Sequence, residues 1–327
     1  MADPTNVVVD HIPLDKHVYD IYALGDVLYA AYGSIRRIDL RTKTVSIIAP
    51  GELGGPIAFV DFHRPLDGPT DAVIIGAGAP DQRLYVVLPN SNQIGEIVPA
   101  QADSFTSIQV LPKHLPILWA FSMVGTNSAK FLYFYENNRC AICVVDLDAG
   151  RIVASIQLES FVQDMAISPD DRFIYTAHPM ENLVSIIDTS VSPPAVRKVT
   201  VTNGPSGLAL SADGRRLFVA GCGESNGNPP TDLNHGTLSV FDTSTMQGQQ
   251  LFTGKRSFNV VLNQAGTRAY VSNVDGGSVS VVDVSETPEV TATVTGLTEP
   301  AGMCFGADQT RLYVVENAGP AIAVVAI

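Results

Sequence analysis

His178-Pro-Met-Glu181 places an imidazole three residues from a carboxylate, and Asp164 is a second acid that the same register brings near. A histidine titrates close to neutral pH, and a neighbouring acid can orient its ring, so such a set is the minimum equipment for general acid–base chemistry. The catalytic candidates are therefore His178, Glu181 and Asp164. Polar and aromatic residues that could hold a ligand beside them are His17, Tyr19, Asp20, Trp119 and Gln163, joined by Tyr135, Asn259, Glu316 and His235. Trp119 is the only tryptophan and offers a large stacking face. Cys140-Ala-Ile-Cys143 has redox or zinc spacing on paper. It opens a run that reads as a strand, however, where residues three apart point to opposite faces roughly 10 Å from each other, so packing is the expected role. Asp232 and His235 are two possible metal ligands on one loop, and no metal is expected from so small a set.

Other chemistries lack their residues. There is no Gly-x-Ser-x-Gly elbow, no phosphate-binding glycine loop, no His-Glu-x-x-His pair and no Cys-x-x-Cys-His haem site, and Gly76-Ala-Gly78 is not followed by the third glycine of a dinucleotide fingerprint. No cofactor is expected. The 327 residues carry 33 acids against 20 basic side chains, net −13, which leaves little from which to build a phosphate-binding surface; no nucleic acid partner is expected. The amino terminus lacks the basic start and apolar run of a secretory signal, and no stretch approaches about 18 apolar residues. The chain reads as soluble with no membrane partner, cytoplasmic as it stands, or secreted or periplasmic if a leader has been removed.

The elements that must position these residues emerge from a repeat. An aromatic followed by small or β-branched residues recurs at Tyr29, Tyr85, Tyr133, Tyr175, Phe218, Tyr270 and Tyr313, with 42 to 56 residues between copies. Most copies are followed by an alternating strand that ends in an acid, as in Ile142-Cys-Val-Val-Asp146, Val184-Ser-Ile-Ile-Asp188 and Val279-Ser-Val-Val-Asp283. Turn residues precede the aromatic strand in Ser168-Pro-Asp-Asp171 and Ser211-Ala-Asp-Gly214. Four antiparallel strands per unit of about 40 to 50 residues, without helical periodicity, is the sequence form of a propeller blade. The fold class is accordingly all-β: a seven-bladed β-propeller of four-stranded antiparallel blades. One domain over 1–327 is expected, with blades near 14–50, 55–112, 115–158, 161–203, 204–254, 256–297 and 299–327 plus 5–13. The last unit ends after its third strand, so the amino-terminal strand should pair into it and close the ring.

On these residues the chain resembles the YVTN-type repeat propellers, most visibly in Leu312-Tyr-Val-Val315, Ala269-Tyr-Val-Ser-Asn273 and Ser278-Val-Ser-Val-Val-Asp283. That group includes surface-layer-like proteins and is related to 6-phosphogluconolactonase-like propellers. The resemblance is stronger over 161–327 than over 14–158. It implies the fold and hardly constrains the function, because the motif is packing and turn chemistry.

Propellers usually bind ligands at one mouth of the central channel, on the loops leading into the inner strands and on the hairpins between second and third strands. The blade-five hairpin is enlarged: Asp242 follows Phe218 by 24 residues instead of the 13 that separate Tyr175 from Asp188, and the insertion around 223–236 could form a lid or wall. A small organic molecule at this mouth, bound by a monomer, is the expected partner. Two functions stay open. One is a cofactor-independent enzyme of lyase, isomerase, cyclase or lactone-opening type; the other is a non-catalytic propeller that serves as a protein-binding scaffold.

Overall fold

The computed structural model describes residues 5–15, 18, 20–31, 35–49, 72–75, 83–88, 93–98, 104–109, 120–201, 203–223 and 234–327. Among them, 28 strands form seven four-stranded antiparallel sheets, the blades of a seven-bladed β-propeller. Strand β1 is Val7–Pro13. Blade 1 holds β2 (Asp20–Leu24), β3 (Val27–Ala31), β4 (Ile35–Asp39) and β5 (Val45–Ala49). Blade 2 holds β6 (Ala72–Ile75), β7 (Arg83–Leu88), β8 (Gln93–Val98) and β9 (Ser104–Gln109). Blade 3 holds β10 (Ala120–Gly125), β11 (Phe131–Glu136), β12 (Ala141–Asp146) and β13 (Arg151–Gln157). Blade 4 holds β14 (Asp164–Ile167), β15 (Phe173–His178), β16 (Leu183–Asp188) and β17 (Ala195–Thr200). Blade 5 holds β18 (Pro205–Leu210), β19 (Arg216–Gly221), β20 (Gly236–Asp242) and β21 (Gly248–Gly254). Blade 6 holds β22 (Ser257–Leu262), β23 (Arg268–Asn273), β24 (Ser278–Asp283) and β25 (Glu289–Thr295). Blade 7 holds β26 (Pro300–Phe305), β27 (Arg311–Glu316) and β28 (Ala321–Ala326), and β1 is its outer strand.

The pairing of β1 with β28 runs from Val7 opposite Ala326 to Pro13 opposite Ala321, as the missing fourth strand of the last repeat requires. Contacts divide the chain into two compact units, one of residues 1–26 with 161–327, the other of 27–160.

Within each unit the cores lie between successive blades, because the middle strands are apolar on both faces. Tyr175, Ile186, Leu208, Leu217 and Val219 form one such core across blades 4 and 5. Phe218, Leu238, Val260, Val271 and Val282 form the next across blades 5 and 6. In the smaller unit Cys143, fully buried, packs with Tyr85, Met123, Leu132 and Phe134. Burial pushes its thiol up to about 11, and both Cys140 and Cys143 are free. A buried thiol at that value is inert, so Cys143 packs rather than reacts.

The turn signatures have direct causes. The Ser168 hydroxyl donates to Asp170 and accepts the Phe173 amide at 2.8 Å, and Ser211 does the same with Asp213 and Arg216. The acids that end the third strands accept the amides of the following turn, Asp242 from Ser244 and Thr245 and Asp283 from Ser285. Hydrogen bonds from serine hydroxyls hold both carboxyls below the usual range. At Asp188 the Arg172 guanidinium at 2.9 Å is the largest cause of the same shift.

Candidate functional site

The last residue of each second strand, three after the anchoring aromatic, is Glu136, His178, Gly221, Asn273 or Glu316 in blades 3 to 7. Burial is the common property of the polar four: Glu136, His178, Asn273 and Glu316 are all 4% exposed or less. A polar side chain can be buried there only with partners. His178, Asn273 and Glu316 bond to residues at the start of the blade, while Glu136 accepts the Asn138 amide at 3.2 Å within its own hairpin.

His178 is the clearest case. At 2% exposure, its Nδ1 lies 3.0 Å from the Phe161 carbonyl on the loop leading into β14. Since only an N–H can pair with a carbonyl, Nδ1 is the donor and Nε2 accepts. Nε2 lies 2.8 Å from the Thr176 hydroxyl and 2.9 Å from the Ser185 hydroxyl. Burial lowers the ring's pKa to about 4; the Phe161 hydrogen bond opposes this and the Lys198 cation adds to it. An imidazole neutral throughout the physiological range and bonded at both nitrogens is set to hold a loop.

Blade 6 repeats the arrangement with an amide. Asn273, fully buried, accepts from the Ser257 hydroxyl at 2.8 Å and donates to Ser280 at 3.0 Å. Ser280 stands three residues before Asp283 as Ser185 stands three before Asp188, so the same strand position supplies the hydroxyl in both blades. Gly254 makes room: a Cβ there would lie 2.4 Å from the Asn273 side chain. In blade 7, Glu316 Oε1 accepts from the Thr298 amide at 2.9 Å and its hydroxyl at 3.1 Å, while Oε2 lies 3.3 Å from His11 Nε2 on β1. Glu316 thus fastens both the loop leading into β26 and the amino-terminal strand.

The other predicted residues are placed as follows. Asp164 spans two blades, its Oδ2 accepting from the Leu208 amide at 2.7 Å and Oδ1 from the Met165 amide at 2.8 Å. Glu181 is exposed in the turn between β15 and β16. Gln163 pairs through its backbone amide with the Ala177 carbonyl at 2.9 Å. On β22, Asn259 donates its backbone amide to Ser272 at 3.0 Å, and its buried side-chain oxygen has no hydrogen-bond partner among the described residues. Tyr135, in the smaller unit, is fully buried, its hydroxyl 3.4 Å from the Ser160 carbonyl. Exposed His235 meets Phe252 edge-on at 6.3 Å between ring centres. His17, Tyr19, Trp119 and residues 224–233 of the blade-five insertion lie outside the described residues, as does the Asp20 side chain. Among the described residues, no three His, Cys, Asp or Glu side chains form a group that could hold a metal.

Concave surface lies at the opposite end of the blades, where first-to-second and third-to-fourth strand turns meet. A cleft of about 570 Å³ runs between blades 4 and 5, floored by Phe173, Tyr175 and Ile186 and edged by Asp170, Asp188, Asp213 and Arg197. A second, of about 520 Å³, lies between blades 6 and 7 beside Arg268, Tyr270 and Gln309. The first of these clefts has a signal in the repeat, in the residue two before each anchoring aromatic. That residue is Arg216, Arg268 and Arg311 in blades 5 to 7 but Phe173 in blade 4.

Comparison with known proteins places the fold. No family model matches the chain, so membership of the YVTN-type repeat family is not established. A chain of the Kuenenia stuttgartiensis hydrazine synthase superposes with a TM-score of 0.73 at 15% identity, over 96% of this chain and 97% of that one. A chain of a mitotic checkpoint complex superposes with a TM-score of 0.73 at 11% identity, over 100% and 94%. At these identities the likeness is one of fold. An uncharacterized protein of Bacillus subtilis (strain 168), YwhL, is 36% identical over 77 residues, which are 24% of this chain and 16% of that protein's length.

Proposed function

We propose that this chain is a non-catalytic binding propeller, holding a small molecule or partner without transforming it. The observation that carries this reading is the state of His178, which is buried, neutral and bonded at both ring nitrogens. A general base must exchange its proton with a substrate or solvent, and it works best with a pKa near the operating pH. His178 has neither property. Asp164, the carboxylate that could orient it, spends both oxygens on backbone amides. Lyase, isomerase, cyclase or lactone-opening chemistry would need groups other than these two. The solved neighbours leave both classes represented, since one is named for an enzyme and the other for a protein assembly.

Equilibrium dialysis of the protein against a mixture of small metabolites, followed by mass spectrometry of both chambers, tests the reading. A compound retained unaltered at no more than one per chain is the expected result, and it should also be retained by His178→Asn. Loss of a compound in excess of the protein, with a new product appearing and the loss abolished in His178→Asn, would overturn it.

A further inference from the structure

The grooves between blades 4 and 5 and between blades 5 and 6 share a frame. Gly214 and Gly266 occupy the same turn position, with φ of +69° and +65°, and donate to Ser211 and Asn263 at 2.8 and 2.9 Å. Thr243 and Val284 follow the third-strand acids and donate to Arg215 and Thr267 at 2.9 and 2.8 Å. The floor of one is Tyr175 and of the other Phe218.

The contents differ. Between blades 5 and 6 the chain supplies its own occupant: the Arg216 guanidinium lies 5.3 Å from the Phe218 ring centre and donates to the Gly266 carbonyl at 2.8 Å and to the Val284 carbonyl. A planar cation over an aromatic face, with carbonyls on its fork, is a favourable seat for guanidinium. Between blades 4 and 5 the corresponding residue is Phe173, which has no donor, and the cleft of about 570 Å³ remains where the neighbouring groove is filled. The Gly214 carbonyl accepts the Thr243 hydroxyl at 2.8 Å and has a second lone pair to offer. Asp170 and Asp213 edge the opening; Asp188 beside them is paired with Arg172, and Arg197 stands on the outer wall.

We propose that the cleft between blades 4 and 5 binds a guanidinium group supplied from outside the chain, seated over Tyr175 as Arg216 is seated over Phe218. The carbonyls of Gly214 and Thr243 receive its N–H groups, and Asp213 at the rim supplies the countercharge. The volume lies in the range of small-molecule pockets and admits a guanidinium together with the group that carries it. The site is at the far end of the blades from His178, and its assignment holds whichever role the mouth has.

Titration of the isotopically labelled protein with methylguanidinium, N-acetyl-arginine amide and an acetylated Gly-Arg-Gly amide, followed by the backbone amides of Gly214 and Thr243, tests it. Saturable shifts at both amides are expected, with N-acetyl-lysine amide weaker because ammonium lacks the planar fork. Phe173→Arg, which places in blade 4 the residue that blade 5 seats over Phe218, should occupy the floor over Tyr175 from within and weaken binding by about tenfold or more. Asp213→Asn keeps an acceptor for Ser211 and the Arg215 amide while removing the charge, and should weaken binding severalfold even if the first variant folds poorly. Equal binding of methylguanidinium and the tripeptide identifies a small guanidino ligand; binding of the tripeptide alone identifies an arginine within a polypeptide. Absence of saturable shifts at Gly214 and Thr243, or shifts that neither variant diminishes, overturns the proposal.

Discussion

Lowering the pH should destabilise this protein through His178 in particular. Burial lowers the folded-state pKa of the ring from 6.5 to about 4. Between these values the unfolded chain binds a proton that the folded chain refuses, so stability rises with pH there. The contribution is fully present above about pH 6.5 and is lost as pH falls toward 4. At pH 5 the unfolded ring is almost wholly protonated and the folded ring about one-tenth, which amounts to a loss of about 2 kcal/mol, rising to about 3 kcal/mol below pH 4. His178→Asn is the informative control, because Asn273 fills the equivalent position in blade 6 against Ser280, the counterpart of Ser185. The variant loses the Phe161 hydrogen bond and some packing, about 1–3 kcal/mol at pH 7.5. Chemical denaturation of both proteins at pH 7.5 and pH 5 gives the difference directly, with other titrating groups cancelling between them. Wild type should lose about 2 kcal/mol more than the variant. Equal losses would mean that His178 is not held neutral by burial, and the reasoning would fail.

Three further perturbations probe the ties between strands. Gly207→Ala puts a Cβ 2.5 Å from the Phe258 carbonyl and 2.9 Å from Asn259 Cα, backbone atoms of the adjacent inner strand, and should cost about 2 kcal/mol or more in denaturant titration. Asp164→Asn exchanges one acceptor oxygen for a donor that faces an amide, so a loss of about 1–3 kcal/mol is expected; a neutral effect would show that the Leu208 contact does not form. Deleting residues 1–13 removes buried Ile12 and the six register pairs with β28, and exposes that strand's edge; the melting temperature should fall markedly, with about 3 kcal/mol or more lost and self-association increased. An unchanged melting temperature would refute the pairing of β1 as the fourth strand of blade 7.

The repeat made the blades legible because each strand carries its own signature: the buried aromatic, the acid that accepts the next turn's amides, and the Ser-x-Asp turn. The absent fourth strand of the last unit pointed to Val7–Pro13 for the same reason. What could not be read was which polar strand ends face solvent. His178, Glu316 and Asn259 sit at blade ends where ligands bind in other propellers, and the register alone does not tell a mouth residue from one covered by its own loop. Burial of His178 depends on Phe161, seventeen residues earlier, folding back to present its carbonyl. The Asp164 carboxylate is likewise used by Leu208, forty-four residues later. Such long-range partners leave no local trace. The arginine-filled groove was more accessible, since the substitution of Phe173 for the arginine of later blades is visible on alignment of the repeats.

The central claim, that the histidine best equipped for catalysis serves as a buried structural tie, is tested most directly by nitrogen NMR of the His178 ring as a function of pH. The account predicts a neutral ring carrying its proton on Nδ1, with no titration step between pH 5 and pH 8 and slow exchange with water. A midpoint near 6.5 to 7, or a ring protonated on Nε2 alone, would contradict it.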